Sequence, residues 1–254
     1  MQAGLGAAVA EAGGGLAAAD RLCVACVDLL EVDGAAISLV HRGSTRGTFG
    51  SSGPLSRRLD ALQFVYGEGP CLDAVAQRQP VLVGDLAAEE DRWPAFTGAV
   101  LEAGVRAVFA LPVVLASDHV GALDMFRHEA GPLDAGALHG ALLAAHLAAL
   151  PVLDLVGELA DRSATGIEEH AQVDPWNELD GLERVEIYQA TGVLIAQLGV
   201  GPTEALVRLR ARAFTTAQTA SEVAWELLDG RLAARPDGSW DAQGAPGTGP
   251  GGTS

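Results

Sequence analysis

Three kinds of side chain in this 254-residue chain could do chemistry: three cysteines, six histidines and sixteen basic residues, all of them arginine. Cys23 and Cys26 form a CxxC, but a zinc site needs a second pair, and on a helix with apolar neighbours the two read as small core residues. Cys71 follows the turn Gly67-Glu68-Gly69-Pro70 and precedes a helix, whose dipole would lower a thiol's pKa. A redox thiol and a cysteine packed beneath a pocket loop both stay open there. The histidines (His41, His119, His128, His139, His146, His170) have no metal-ligand spacing, so neither metal nor haem is predicted. No Ser-His-Asp arrangement and no phosphate loop is found, so no catalytic residue is assigned and no enzyme is expected.

The arginines are more informative through their placement. Acids outnumber bases 33 to 16, a net charge of −17, which argues against a nonspecific nucleic-acid coat. Yet residues 182–235 hold 6 acids and 6 arginines and form the one neutral block, with Arg184, Arg208, Arg210 and Arg212 inside it. The acidic stretch 154–181 therefore marks a domain boundary. The tail 236–254, rich in Gly, Pro, Ser and Thr, is expected to be disordered. An odd, small cysteine count fits a reducing compartment, and no basic n-region or long uninterrupted apolar run is found. A cytoplasmic protein without membrane attachment is expected.

The elements that must position these residues follow from periodicity. Apolar spacing predicts a helix over Leu16–Leu30, a strand at Ala35–Val40, a second at Thr48–Ser51, a helix over Leu55–Tyr66 and a short strand at Val81–Val83. Asp91–Ala103 reads as a helix with Trp93-Pro94 at its start. Val105–Leu115 and Val120–Arg127 read as strands joined by a four-residue connection, and Asp134–Leu150 as a helix stopped by Pro151. Helices around adjacent strands make an α+β domain. Cys71, Trp93, Phe96, Phe109 and Phe126 are its candidate pocket residues.

The last part is all helical in pattern: Asn177–Leu198, a second helix opening at Gly201-Pro202 and ending near Phe214, and a third from the capping box Thr219-Ala220-Ser221-Glu222 to about Ala234. On the first of these, Leu179, Leu182 and Val193 lie along one face and Ile187, Leu194 and Leu198 along another. The first face is read as a dimer seam, making a homodimer with further contacts from the N-terminal domain. On the second helix Leu206, Leu209, Ala213 and Ala205 form an apolar stripe. Arg208 and Arg212 face away from it, and Arg210 sits at its edge as either a salt bridge or an RNA contact.

The runs GEGPCLDAV (Gly67–Val75), VLVGDLAAEEDRWPAF (Val81–Phe96), GVRAVFALPV (Gly104–Val113) and VGALDMF (Val120–Phe126) resemble the GAF domain of actinobacterial regulators, over roughly residues 15–153. The resemblance implies a sensory fold, an antiparallel sheet with helices on one side and ligand-enclosing loops on the other. An unidentified small molecule or a signalling protein would be its partner. The Asn-Lys-Phe-Asp-Glu signature of cyclic-nucleotide binding is missing, and no cofactor is predicted.

Glu183–Phe214 followed by ASEVAWELL (Ala220–Leu228) is similar to an ANTAR domain, a three-helix RNA-binding output module, over 172–233 with 154–171 as linker. This resemblance implies transcription antitermination on leader RNA hairpins. It assigns RNA contact to Arg184, Gln189, Thr191, Arg208, Arg210 and Arg212, with Thr191 standing where many members carry lysine. Two other readings remain: a dimerising protein-interaction adaptor, and a cysteine-based reductase of methionine sulfoxide on a GAF fold.

Overall fold

The computed structural model describes residues 1–11, 15–41, 44–155, 157, 185–235 and 237–242. The chain forms two compact units, Met1–Glu183 and Arg184–Ser254.

The first unit is built on a five-stranded antiparallel sheet of order β2-β1-β5-β4-β3, from β1 (Gly34–His41), β2 (Ser44–Ser51), β3 (Val81–Val83), β4 (Ala107–Leu115) and β5 (Asp118–Arg127). Side chains alternate across a strand, so each face receives every second residue. On β5, Leu123 and Met125 join one core with α1 (Gln2–Ala10), α2 (Gly15–Leu30) and α6 (Ala135–Leu147). Ala122 and Phe126 join the opposite layer with α3 (Pro54–Tyr66), α4 (Pro70–Gln77) and α5 (Pro94–Glu102). The sheet is thus flanked by helices, the mixed architecture expected. Its second face is covered by three short helices as well as loops.

Three local expectations are corrected. Helix α1, whose Ala/Gly-rich run has almost no amphipathic pattern, buries Leu5 in the α2–α6 core, so the unit begins before residue 15. The β4–β5 connection is the two-residue turn Ala116-Ser117, since Leu115 pairs with Asp118 and Val114 with His119, and Ala116 takes a positive φ of 57°. Pro151 does not stop the helical run, which continues from α6 past a turn at Ala148 as far as Leu155. The irregularity falls at Ala148, directly after Leu147, the residue four before the proline, whose carbonyl the ring would crowd. By length and composition this is the one single helix among the described residues that could cross a membrane. Its residues Ala141, Ala144, Ala145, Ala148, Val152 and Leu155 are packed into the core.

The second unit packs α7 (Val185–Leu198) against α8 (Pro202–Thr215) and α9 (Ala220–Leu228), burying Ile187, Ala190 and Leu194, then Ala205, Leu209 and Ala213, then Val223, Ala224 and Leu227. The capping box forms as expected: Thr219 Oγ1 accepts from Glu222 N at 3.2 Å, and Glu222 Oε2 accepts from Thr219 N at 2.6 Å. Helix α9 ends earlier than its apolar pattern suggests, because Gly230 takes a left-handed φ of 70°. The chain then forms β6 (Leu232–Ala234), paired antiparallel with β7 (Trp240–Ala242) and tied by an Arg235–Asp241 ion pair. The start of the expected disordered tail is therefore a hairpin. Residues 243–254, most of the linker, and Leu179, Leu182 and Arg184 lie outside the described residues.

Candidate functional site

The second face of the sheet carries a polar cluster inside an otherwise apolar layer. Asp60 and Gln63 project from α3, one helical turn apart, and both are almost fully buried. Asp124 projects from β5, on the face set by its alternation with Leu123 and Met125. Asp60 Oδ2 accepts from Thr48 Oγ1 at 2.6 Å. Asp124 Oδ2 accepts from Ser38 Oγ at 3.2 Å and, at a long 3.4 Å, from Gln63 Nε2, and the Cys71 thiol bonds to the same carboxyl. Asp124 Oδ1 is buried without a hydrogen-bond partner.

Electrostatics follow from this placement. Burial, and then the neighbouring charge of Asp60, push the Asp124 carboxyl from its ordinary 3.8 up to about 7, despite the bonds from Ser38, Cys71 and Gln63. Near neutrality this aspartate is poised between acid and carboxylate.

The GEGP turn holds the cluster and the cavity wall in place. Gln63 Oε1 accepts from Cys71 N at 2.8 Å, and Gly69 takes a φ of 138° where any Cβ would overlap the Gln63 amide. Glu68 Oε1 accepts from Ala95 N at 2.7 Å and Phe96 N at 3.0 Å, satisfying the first turn of α5 and fixing Phe96. Between these elements lies a cavity of about 10 Å³, the scale of a single water, bounded by Asp60, Gln63, Asp124, Phe96, Phe126 and Leu59 among others.

Of the five pocket residues expected from sequence, Phe96 and Phe126 line this cavity. Phe109 is corrected: strand alternation turns it to the opposite core, below the Arg127 guanidinium. Trp93 stands behind Phe96 as an edge-on neighbour at 6.5 Å and carries Arg92 on its own ring. Cys71 is fully buried beside the cavity, touching it through Asp124. The low-pKa thiol is also corrected, since burial pushes Cys71 well above the usual thiol value, against the helix dipole. Cys23 and Cys26 are likewise raised by burial, Cys26 to about 12. Among the described residues no cluster of metal-ligating side chains occurs.

In the second unit the expected RNA-facing residues divide. Gln189 is exposed on α7, and Arg208, Arg210 and Arg212 are half-buried on α8. Arg208 is paired with Glu204 at 2.7 Å, one helical turn earlier, and Arg212 lies 5.8 Å from the Trp240 ring on β7. Thr191 is corrected: it is buried and spends its hydroxyl on the Ile187 carbonyl at 2.7 Å, so it presents no group to a ligand. Val193 is half-buried.

The chain thus carries a small cavity with two buried acids on one face of an antiparallel sheet and, as a separate unit, a compact packing of three helices. Residues 17–150 match the GAF domain family, and the chain belongs to it. Residues 182–228 match the ANTAR domain family. GAF and ANTAR domains are regulatory domains, although some proteins with folds similar to the first unit are enzymes. Among solved structures, the chain is similar to the GAF domain of a phosphoenolpyruvate-protein phosphotransferase from Coxiella burnetii, with 17% identity over 64% of this chain and 94% of that one, TM-score 0.47. The corresponding GAF domain from Acinetobacter has 16% identity, over 65% and 97%, TM-score 0.45. A type II free methionine-R-sulfoxide reductase from Thermoplasma acidophilum has 14% identity, over 53% and 88%, TM-score 0.41. No curated protein matches the chain.

Proposed function

We propose that the chain is a signal-responsive transcription antitermination regulator of the cytoplasm, in which the GAF domain senses a small ligand and the ANTAR domain binds leader RNA hairpins. The observation that carries this reading is the joining of a GAF domain at 17–150 and an ANTAR domain at 182–228 in one chain. Arg208, Arg210 and Arg212 on α8, Gln189 on α7 and Arg184 just before it are the contact set. Arginine side chains supply phosphate binding, and with as many acids as bases in residues 182–235 the contact must be local rather than a broad basic surface. A homodimer through Leu179, Leu182 and Val193 would present two ANTAR domains to paired loops and raise their effective concentration.

Crosslinking the protein to RNA in cells and sequencing what is bound tests the reading. Recovery of leader hairpins upstream of terminators is the expected result, and recovery of ribosomal RNA alone would overturn it. The second reading, a dimerising adaptor, is favoured by Val207, Phe214 and Trp225, each more than half exposed, and by the pairing of Arg208 with Glu204. It would stand if RNA recovery failed while light scattering still gave a dimer that charges at Leu182 and Val193 dissociate.

A further inference from the structure

Arg208 and Arg212 lie one helical turn apart on α8, yet they are held in different ways. Arg208 spends its charge on Glu204 at 2.7 Å. Arg212 has no ion pair among the described residues, and its Nε is shielded from solvent without an acceptor. What lies beside its guanidinium is an aromatic ring, that of Trp240 on β7, 5.8 Å away. A ring attracts a cation through its face and takes none of its hydrogen-bond donors, so Arg212 keeps its charge for a ligand where Arg208 is already neutralised.

The ring is brought there by a hairpin beyond the residues matched to the ANTAR family, which end at residue 228. Leu232 and Ala234 of β6 are buried, β6 packs on α9 and α7, and Gln197 Oε1 of α7 accepts from Ala234 N at 3.1 Å. Trp240 is the cross-strand partner of Ala234, so the two share the face of the hairpin turned to the helices, and the Arg235–Asp241 ion pair ties the strands. The indole is nevertheless only half-buried. A flat ring open to solvent beside an unspent cation matches a nucleotide of single-stranded RNA, whose base stacks on the ring while its phosphate meets the guanidinium. Bases inside a duplex have both faces covered by their neighbours, so an unpaired one is required.

We propose that Trp240 and Arg212 form a platform for one unpaired nucleotide of a hairpin loop, with the base on the indole and the phosphate on the guanidinium, so that the β6–β7 hairpin extends the RNA-binding surface of the ANTAR domain. The inference rests on reading the second unit as an RNA binder. The same contact could serve the opposite end, with Trp240 covering Arg212 and keeping RNA away, but that role predicts tighter binding when the ring is removed. The platform predicts weaker binding, and only where the loop carries bases.

Binding of the full-length chain is measured by fluorescence anisotropy with two labelled RNAs: a pool of stem-loops with randomised loops, and the same stem closed by a loop of abasic riboses. Trp240→Ala should weaken binding of the base-bearing loops by about five- to a hundredfold and leave the abasic loop within about twofold. Trp240→Phe, which keeps a ring, should recover most of the loss. Arg212→Gln should weaken both RNAs alike, since a phosphate contact does not sense the base. Circular dichroism melts check the fold, and if Trp240→Ala melts early, Trp240→Leu against Trp240→Phe makes the same comparison with an apolar side chain in place. Tighter binding by Trp240→Ala would overturn the proposal in favour of a masking hairpin. Equal losses on both RNAs would overturn it too, leaving Trp240 as a support for Arg212. A chain that binds neither RNA sinks the antitermination reading and the platform together, whereas one that binds RNA with an affinity indifferent to Trp240 sinks the platform alone.

Discussion

The first unit buries Asp60 and Asp124 behind its sheet, whereas the second keeps Arg208 and Arg212 near its surface and partners them with Glu204 and Trp240. Burial makes each charge in the first unit matter greatly to folding, since its apolar surroundings solvate it poorly. Partial exposure makes each charge in the second unit cheap to rearrange, because solvent screens it before and after it changes partner. A site of the first kind suits selective capture of one small group. One of the second kind suits a long, charged and variable ligand.

The largest effect expected from breaking this contrast lies in the core of the second unit, where alanines supply much of the packing and Leu194 is one of few large buried side chains. Leu194→Ala should cost about 2–5 kcal/mol. Urea unfolding followed by circular dichroism should show the helices of 185–228 lost first, RNA binding abolished, and the first unit's transition unmoved. A single shared transition would mean that the units fold as one body.

Next in size is the pH dependence of the first unit. The folded-state pKa of Asp124 is raised to about 7 from an ordinary 3.8, so between these values the folded protein holds a proton that the unfolded chain has released. Stability from this group is therefore present below about pH 4 and is lost as pH rises to about 7, a total on the order of 4 kcal/mol. Asp124→Asn should flatten that decline in denaturant titrations at pH 4.5 and 7.5. Parallel pH profiles for the two proteins would place the carboxyl in contact with water.

Smaller effects are expected at the arginines. Replacing Arg208 or Arg212 by glutamine should reduce the slope of log affinity against log salt by roughly 0.7 to 0.9 each if the residue touches phosphate. Glu204→Gln, which frees Arg208 from its acid, should tighten RNA binding about two- to threefold. An unchanged slope in both arginine variants would assign them to packing. Smallest of all, Cys71→Ser should leave RNA affinity within about threefold, under ~0.7 kcal/mol, and iodoacetamide should label none of the three buried cysteines at a free-thiol rate.

How far these sites can be seen in the sequence depends on whether their signals are local. The strands of the first unit, the turn at Gly67–Pro70 and the Thr219–Glu222 capping box are written in neighbouring residues, and they form where the pattern puts them. The cavity is not local, since Asp60 and Asp124 come from elements 64 residues apart and meet only through the sheet order β2-β1-β5. A signal for Asp124 did exist: it is the lone acid in the apolar run Val120–Phe126, on the same side of the strand as Phe126. Choosing pocket residues by aromaticity instead selected Phe109, which strand parity sends to the other core. The hairpin at Trp240 was hidden by the Gly/Pro-rich composition around it.

Gly34 opens a route from architecture to protein engineering. A Cβ there would overlap the Phe126 ring and crowd Ser56 Oγ, so the ring that walls the cavity keeps its place only because residue 34 has no side chain. One added methyl would displace the ring while leaving both aspartates unaltered. Gly34→Ala thus reshapes the cavity by volume alone, a reference against which the effects of Asp124→Asn can be calibrated.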